Sequence, residues 1–441
     1  MATPVLSGGP RYLKRPTAAT PASGPDSAVR DRVSEMLLRI ERDGMDAIRE
    51  YSRDLDGWDP ESFDVTDADV AAATASLSDD LRASIALAQE QVRSFAQLQR
   101  DSLTDFETET FPGVHLGQKQ VPVAASGAYV PSGRVPMLAS AFMTVLVPKV
   151  AGVGTVVACS PPRAGAGIHA PVLHSIATSG ADRIVALGGV QALAAMAFGI
   201  DGIGPVDVLA GPGNAFVAEA KRQLFGRVGI DLLAGPSEVA IIADDSADPE
   251  LVAADLLAQA EHGPNSPALL ITTSETLGQA VLAEIDRQLD VLALVSPAGM
   301  PGDEVPRRAW EDVGAVVVAA DREEAARLSD EWAAEHLEVQ TAEDDWYFDR
   351  LKNYGSLFVG ARATVAFSDK FIGTNHTLPT GRAARYTGGL SVAKFVKTLT
   401  YQRIDSDEGV RAVAPHVAEI SRADLMPAHE ATATKRLERL G

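Results

Sequence analysis

Two short segments far apart in the chain place metal-binding side chain types at useful spacings. The first is Gln259-Ala-Glu-His262. The second is Phe367-Ser-Asp369, which runs into Gly373-Thr-Asn-His376-Thr-Leu-Pro-Thr380. Between them stands the polar dipeptide Glu335-His336, and His429 follows near the end. His262, His336, His376 and His429 thus account for half of the eight histidines in the chain. Imidazole is a good zinc ligand, and an amide oxygen is a weaker one. Gln259 and His262 are three apart, so on a helix they share a face. A helix C-terminus carries partial negative charge and favours a cation. By residue type alone, Glu335-His336 reads as an exposed dipeptide at a helix end.

The elements that must hold these residues are legible around them. Asp248-Pro249 opens a helix, since Asp can cap it and Pro fits its first turn. Gly263-Pro264 stops that helix. Asp321 with Glu324 makes a start resembling a capping box, for a helix leading toward Glu335. From Ala28 to about Arg100, apolar residues such as Val33, Met36, Leu37 and Ile40 recur at helical spacing. Short β-rich runs then alternate with helical runs. Arg183-Ile-Val-Ala-Leu187 precedes a helix over 190–198, and Val206-Asp-Val-Leu209 precedes one over 215–224. Val239-Ala-Ile-Ile242, Ala268-Leu-Leu-Ile271 and residues 315–319 read as further buried strands. Such alternation predicts parallel sheets with crossover helices. After about Ser391 the pattern is helical to the end, and residues 1–27, rich in Pro, Gly, Ser and Thr, predict a flexible arm.

Composition sets outer limits. At 441 residues the chain exceeds one ordinary core. A net charge of −21 argues against nucleic acid or an anionic membrane as the main partner. The apolar stretch from Met137 to Cys159 is broken by Pro148, Lys149, Gly152 and Gly154, so it reads as buried helix, turn and strand rather than a membrane span. Cys159 is the sole cysteine, which rules out an intrachain disulfide framework and fits a reducing, cytoplasmic compartment. Its strand-like setting makes it a small buried hydrophobe rather than a nucleophile. Gly211-Pro-Gly213-Asn214 sits between strand and helix, where a phosphate could meet a helix N-terminus. The third glycine of the dinucleotide fingerprint is replaced by Phe216, and Gly188-Gly-Val-Gln191 also lacks the spacing. These turns read as structural βα connections, and the residues themselves imply no nicotinamide cofactor.

Taken together, the motifs resemble the histidinol dehydrogenase family over about Val33 to His429. They include Gly127-Ala-Tyr-Val-Pro131, Gly188-Gly-Val-Gln191, Gly211-Pro-Gly-Asn214, Arg227-Val-Gly-Ile-Asp231, Ala234-Gly-Pro-Ser-Glu238, Ala258-Gln-Ala-Glu-His262, Ala334-Glu-His-Leu-Glu338 and Gly373-Thr-Asn-His-Thr-Leu-Pro-Thr380. The resemblance implies a zinc- and NAD-dependent homodimer that takes a primary alcohol through the aldehyde to the acid, as in histidine biosynthesis. It implies zinc ligands Gln259, His262, Asp369 and His429, and an acid/base pair Glu335 and His336. Tyr129, Gln191 and Asn214 would line the NAD site. Ser237, His376 and Asp424 would touch substrate, alongside His336 and the zinc ligands.

The implied fold is α/β, with two Rossmann-like parallel-sheet domains and helical N- and C-terminal extensions. Residues 28–126 with 238–390 would form a discontinuous metal-side domain. Residues 127–237 would form the NAD side, and 391–441 a helical tail at the dimer contact. That tail would complete the partner's site with Asp424 and His429. The chain departs from the usual family pattern at Asp424-Leu-Met-Pro-Ala-His429, where the family has Glu. It also departs over 381–395, which is closer to paralogues such as sulfopropanediol dehydrogenases, as are Arg134 to Phe142 and Phe216 to Phe225. Arg382, Arg385 and Lys394 are cations that an anionic substrate head could use, or that solvent could simply cover. The expected substrate is L-histidinol. The alternatives are another small polar alcohol, such as 2,3-dihydroxypropane-1-sulfonate, and a zinc-binding homologue without catalysis.

Overall fold

The computed structural model describes residues 9–17, 27–132, 136–163, 165–233, 235–295 and 302–441. Arg134, Ala234 and most of the expected N-terminal arm lie outside them.

Two parallel sheets organise the chain. The larger has six strands in the order Arg11–Lys14, Ala315–Val318, Ala268–Thr272, Val239–Ala243, His336–Gln340, Ser356–Val359. All neighbours are parallel except the first pair. Its central strands are near-continuous Val, Ile and Leu runs because helices cover both faces. The second sheet has five parallel strands in the order Arg183–Ala186, Thr155–Ser160, Ala125–Tyr129, Val208–Ala210, Gly229–Ile230. The stretch read as helix, turn and strand is the helix Leu138–Ala151 followed by the strand Thr155–Ser160. Cys159 is fully buried, and burial pushes its thiol up to about 12. Among the described residues, no helix is long and apolar enough to cross a membrane.

The structure corrects three expectations. The arm is not flexible throughout, because Arg11–Lys14 is an edge strand antiparallel to Ala315–Val318. Lys14 Nζ donates to the Gly314 carbonyl at 2.7 Å and stands 5.0 Å from the Trp310 ring centroid. The helices Ser27–Asp43, Met45–Asp56, Asp67–Ala75 and Asp79–Asp101 pack on the five-stranded sheet and its helices. This grouping replaces the expected union of 28–126 with 238–390. The reason is that Val33, Met36, Leu37 and Ile40 find their apolar partners in the helix Gly189–Phe198 and its neighbours.

Third, the tail is not helical from Ser391. Val396–Ile404 is a strand, and it joins Val114–Pro122 and Phe106–Phe111 in an antiparallel sheet of three strands. Only then come the helices Asp407–Ala423 and Pro427–Glu438, which pack on each other around Ala414, Ala418 and Ala433. Phe106, Phe111, Leu116, Leu399, Ile404, Ile420 and Leu425 of this sheet and tail stay exposed.

Candidate active site

Glu335 and His336 stand at the C-terminal side of the helix Arg322–Trp332, at the start of the strand His336–Gln340. Asp321 caps that helix by accepting from the Glu324 amide, as its sequence predicts. The dipeptide is not exposed. Glu335 is 5% and His336 2% accessible, because the strand is paired on both sides, by Val239–Ala243 and Ser356–Val359.

Each group is oriented by its neighbours. Glu335 Oε2 accepts from Ser237 Oγ at 2.6 Å and from the Glu238 amide at 2.9 Å. Burial nevertheless raises its carboxyl well above the usual carboxylate range. His336 Nδ1 lies 3.1 Å from the Glu238 carbonyl, which can only accept, so Nδ1 carries the proton. Nε2 is then a free acceptor, buried without a partner and 3.9 Å from Asp369 Oδ1. Burial pushes His336 down to about 4, so the ring is neutral at pH 7.

Asp369 brings the metal-binding residue types together. It is buried on the helix Val365–Lys370, and its Oδ2 lies 3.7 Å from His262 Nε2. Gln259 is 1% accessible, and both polar atoms of its amide are buried without a partner. The helix Pro249–Ala260 starts at its predicted cap, Asp248 accepting from the Glu250 amide, and ends two residues before His262. An orphaned buried carboxamide beside a histidine–carboxylate pair fits a cation that would ligate an amide oxygen, an imidazole nitrogen and a carboxylate oxygen. Among the described residues, no group of three or more His, Cys, Asp or Glu in this one chain could hold a metal alone. The fourth expected ligand, His429, is exposed on the helix Pro427–Glu438, and Asp424 is exposed at the end of the preceding helix.

The segment after Asp369 joins the two sheets. His376 Nε2 lies 2.8 Å from Ser140 Oγ and its backbone amide donates to Met143 Sδ, both on the helix Leu138–Ala151. Its Nδ1 is buried without a partner. Gly373 turns with φ +112°, and a side chain there would meet the Gln91 carbonyl. Gly381 donates to Glu238 Oε1 at 2.8 Å. Arg382 follows with φ +69° and a buried, unpartnered Nε. Arg385 is exposed. Lys394 donates to Thr387 beside a cavity of about 360 Å³, which Arg222, Phe225, Ala383 and Tyr386 also line.

The three expected NAD residues cluster at the C-terminal ends of the second sheet. Tyr129 is buried, and its hydroxyl accepts from the Gly189 amide at 3.2 Å. Gln191 donates to Asp56 at 2.9 Å and leaves Oε1 without a partner. Asn214 Oδ1 caps the helix Ala215–Leu224 through the amides of Phe216 and Val217. Gly211 has φ +127°, and a side chain there would strike the Tyr129 carbonyl. Sequence reasoning passed over the pair that fixes this turn. Lys221, 2% accessible, is paired with buried Asp231, donates to the Gly211 carbonyl at 3.0 Å, and stands where a helical lysine is usually solvated. Asp231 Oδ2 accepts from the Gly211 amide at 2.8 Å. Ser140 was missed as well, because its only signal is its contact with His376 across the sheets.

Comparison with known proteins identifies the family and its fold. A family model described as histidinol dehydrogenase matches residues 21–437. A histidinol dehydrogenase homolog of Shouchella clausii is 48% identical, with 98% of this chain and 99% of that one aligned. A sulfopropanediol 3-dehydrogenase of Ruegeria pomeroyi is 45% identical, over 97% of this chain and 96% of its own. The crystal structure of histidinol dehydrogenase from Elizabethkingia anophelis superposes with a TM-score of 0.88 at 30% identity, covering 97% of this chain and 95% of that one. With the motifs, the two parallel sheets and these matches in agreement, the chain belongs to the histidinol dehydrogenase family.

Proposed function

We propose that this dehydrogenase uses zinc and NAD to oxidise a small polar primary alcohol through the aldehyde to the carboxylic acid. The observation that carries this is His336, a buried neutral imidazole with Nδ1 on the Glu238 carbonyl and a free Nε2 toward Asp369. Gln259, His262 and Asp369 of one chain would hold the zinc, with His429 from a partner subunit. A bound zinc supplies Lewis acidity toward the substrate oxygen, and NAD is the hydride acceptor.

The protein's own groups would divide the proton work. His336 Nε2 accepts the hydroxyl proton as hydride leaves the carbinol carbon. The aldehyde must add water before a second hydride can leave. Ser237 and the Glu238 amide hold Glu335 through Oε2, so Oε1 is the atom that takes the proton of that water. His336 acts again in the second oxidation. Burial at the strand start excludes bulk water from both steps. Ser237, His376 and Asp424 would position the substrate. Tyr129, Gln191 and Asn214 would line the NAD site, where the turn at Gly211 lets backbone approach the cofactor closely.

L-histidinol is the expected alcohol. A second reading, 2,3-dihydroxypropane-1-sulfonate, is favoured by the 45% identity to a sulfopropanediol 3-dehydrogenase. Under it, the unpaired Arg382 would be available to an anionic head. NADH formation by the zinc-loaded protein across a panel of alcohols tests both readings. Reduction of NAD by neither alcohol, with zinc bound, would count for a homologue without catalysis.

Metal loss provides a separate check. His262→Ala and Asp369→Ala should each abolish zinc binding and activity while the chain stays folded. Elemental analysis with circular dichroism measures this, and unchanged zinc content in both variants would rule out the assignment.

A further inference from the structure

Three elements that carry the site meet at two carboxyl groups which have no part in the chemistry. Asp255 stands one turn before Gln259 on the helix Pro249–Ala260, so the two share a face. Glu338 follows His336 by two residues on the central strand, so both point to one side of the sheet. Glu338 is fully buried. Gln340 continues that side, and its Nε2 donates to Asp255 Oδ2 at 2.9 Å and to Glu338 Oε2 at 3.1 Å. One nitrogen therefore holds an oxygen of each carboxyl within hydrogen-bonding reach. Burial first, and the nearby Asp255 second, push the Glu338 carboxyl well above its ordinary range.

The other two oxygens reach a third element. Glu338 Oε1 accepts from the Val365 amide at 3.1 Å, and Asp255 Oδ1 accepts from Thr364 Oγ at 2.8 Å. Thr364 is the N-cap of the helix Val365–Lys370, yet its hydroxyl does not cap that helix. The cap comes instead from Glu338, on the catalytic strand. This short helix carries Asp369.

We propose that Asp255 and Glu338, bridged by the Gln340 amide, act together as a positioning clamp. The clamp sets the spacing between the helix of Gln259 and His262, the helix of Asp369 and the strand of His336. Neither residue touches substrate. The inference rests on the zinc-dependent reading above. An apolar side chain at position 338 would leave the Val365 amide without an acceptor.

The test compares two changes at Glu338. Glu338→Gln keeps the length, an oxygen for Val365 and a donor for Asp255. Glu338→Asp keeps the acid but is one methylene too short to span both. Glu338→Asp should weaken zinc binding and lower kcat by about 10–100-fold, the range for groups that orient metal ligands. Glu338→Gln should lose less than about tenfold in either. Hydrogen exchange at the Val365 amide should quicken in Glu338→Asp and not in Glu338→Gln. Wild-type zinc affinity in Glu338→Asp, or equal damage from both changes, overturns the clamp. If Glu338→Asp does not fold, Thr364→Val is read in the same way, with weakened zinc binding expected and an unchanged affinity overturning the proposal. If the wild type takes up no zinc, the dehydrogenase reading fails by itself. Exchange at Val365 then still decides the clamp, since unchanged protection in Glu338→Asp overturns it.

Discussion

His336→Ala should slow both alcohol and aldehyde oxidation, whereas Glu335→Gln should spare the first relative to the second. Each affected step should fall by about 10²–10⁴-fold, the usual contribution of one positioned acid/base group. The asymmetry follows from what each step needs. Both steps release a hydroxyl proton, and the free Nε2 of His336 is placed to take it. Only the aldehyde step needs an activated water. The pH dependence should separate the two groups further. His336, pushed down to about 4, is already a base throughout the neutral range. Glu335 is raised by burial, so its base form appears only at higher pH than for an ordinary carboxylate. Aldehyde oxidation should therefore rise with pH through that raised value, and Glu335→Gln should remove the rise. NADH formation from the alcohol and from the aldehyde, measured separately, checks this. Equal slowing of both half-reactions by Glu335→Gln would reject the division.

Mixing inactive His429→Ala protein with inactive His336→Ala protein should restore activity. In the heterodimer one site would carry both lesions and the other neither. Random exchange of equal amounts makes about half of the dimers mixed, each with one intact site. About a quarter of wild-type activity is the order to expect by that mass-action count. The physical ground is the tail itself. His429 and Asp424 are exposed, and the tail helices pack mainly on each other. Ile420 and Leu425 stay exposed, as do Phe106, Phe111, Leu399 and Ile404 on the antiparallel sheet. Such a surface calls for a partner, and on the proposed reading a second copy of the chain would supply one, together with the fourth zinc ligand. A tail folding back onto its own site predicts no rescue. Subunit exchange is verified independently with differently tagged chains, and exchange without recovered activity rejects the shared site.

The sequence by itself determined a good deal of this protein. Short apolar runs rich in Val, Ile and Leu at Val239–Ala243 and Ala268–Thr272 point to parallel strands, because a strand covered on both faces needs no polar alternation. Asp248 and Asp321 fix helix starts through local hydrogen bonds to amides two or three residues on. The motifs fixed the family and which residue types could do the chemistry. The tertiary structure decided what depends on residues distant in sequence. Val396–Ile404 intersperses Val396, Leu399, Tyr401 and Ile404 with Lys, Thr, Gln and Arg, and its place as a strand shows only in its pairing along the whole length of Val114–Pro122. The Glu335-His336 dipeptide is buried because its strand is paired on both sides, by Val239–Ala243 and Ser356–Val359, which no local pattern expresses. Its protonation follows from that burial and from the Glu238 carbonyl, 98 residues away. The Asp255–Glu338 and Lys221–Asp231 pairs likewise look like ordinary surface charges in sequence. Folding buries Glu338, Lys221 and Asp231 and gives each a partner, so a group's chemistry here is set by its surroundings more than by its type.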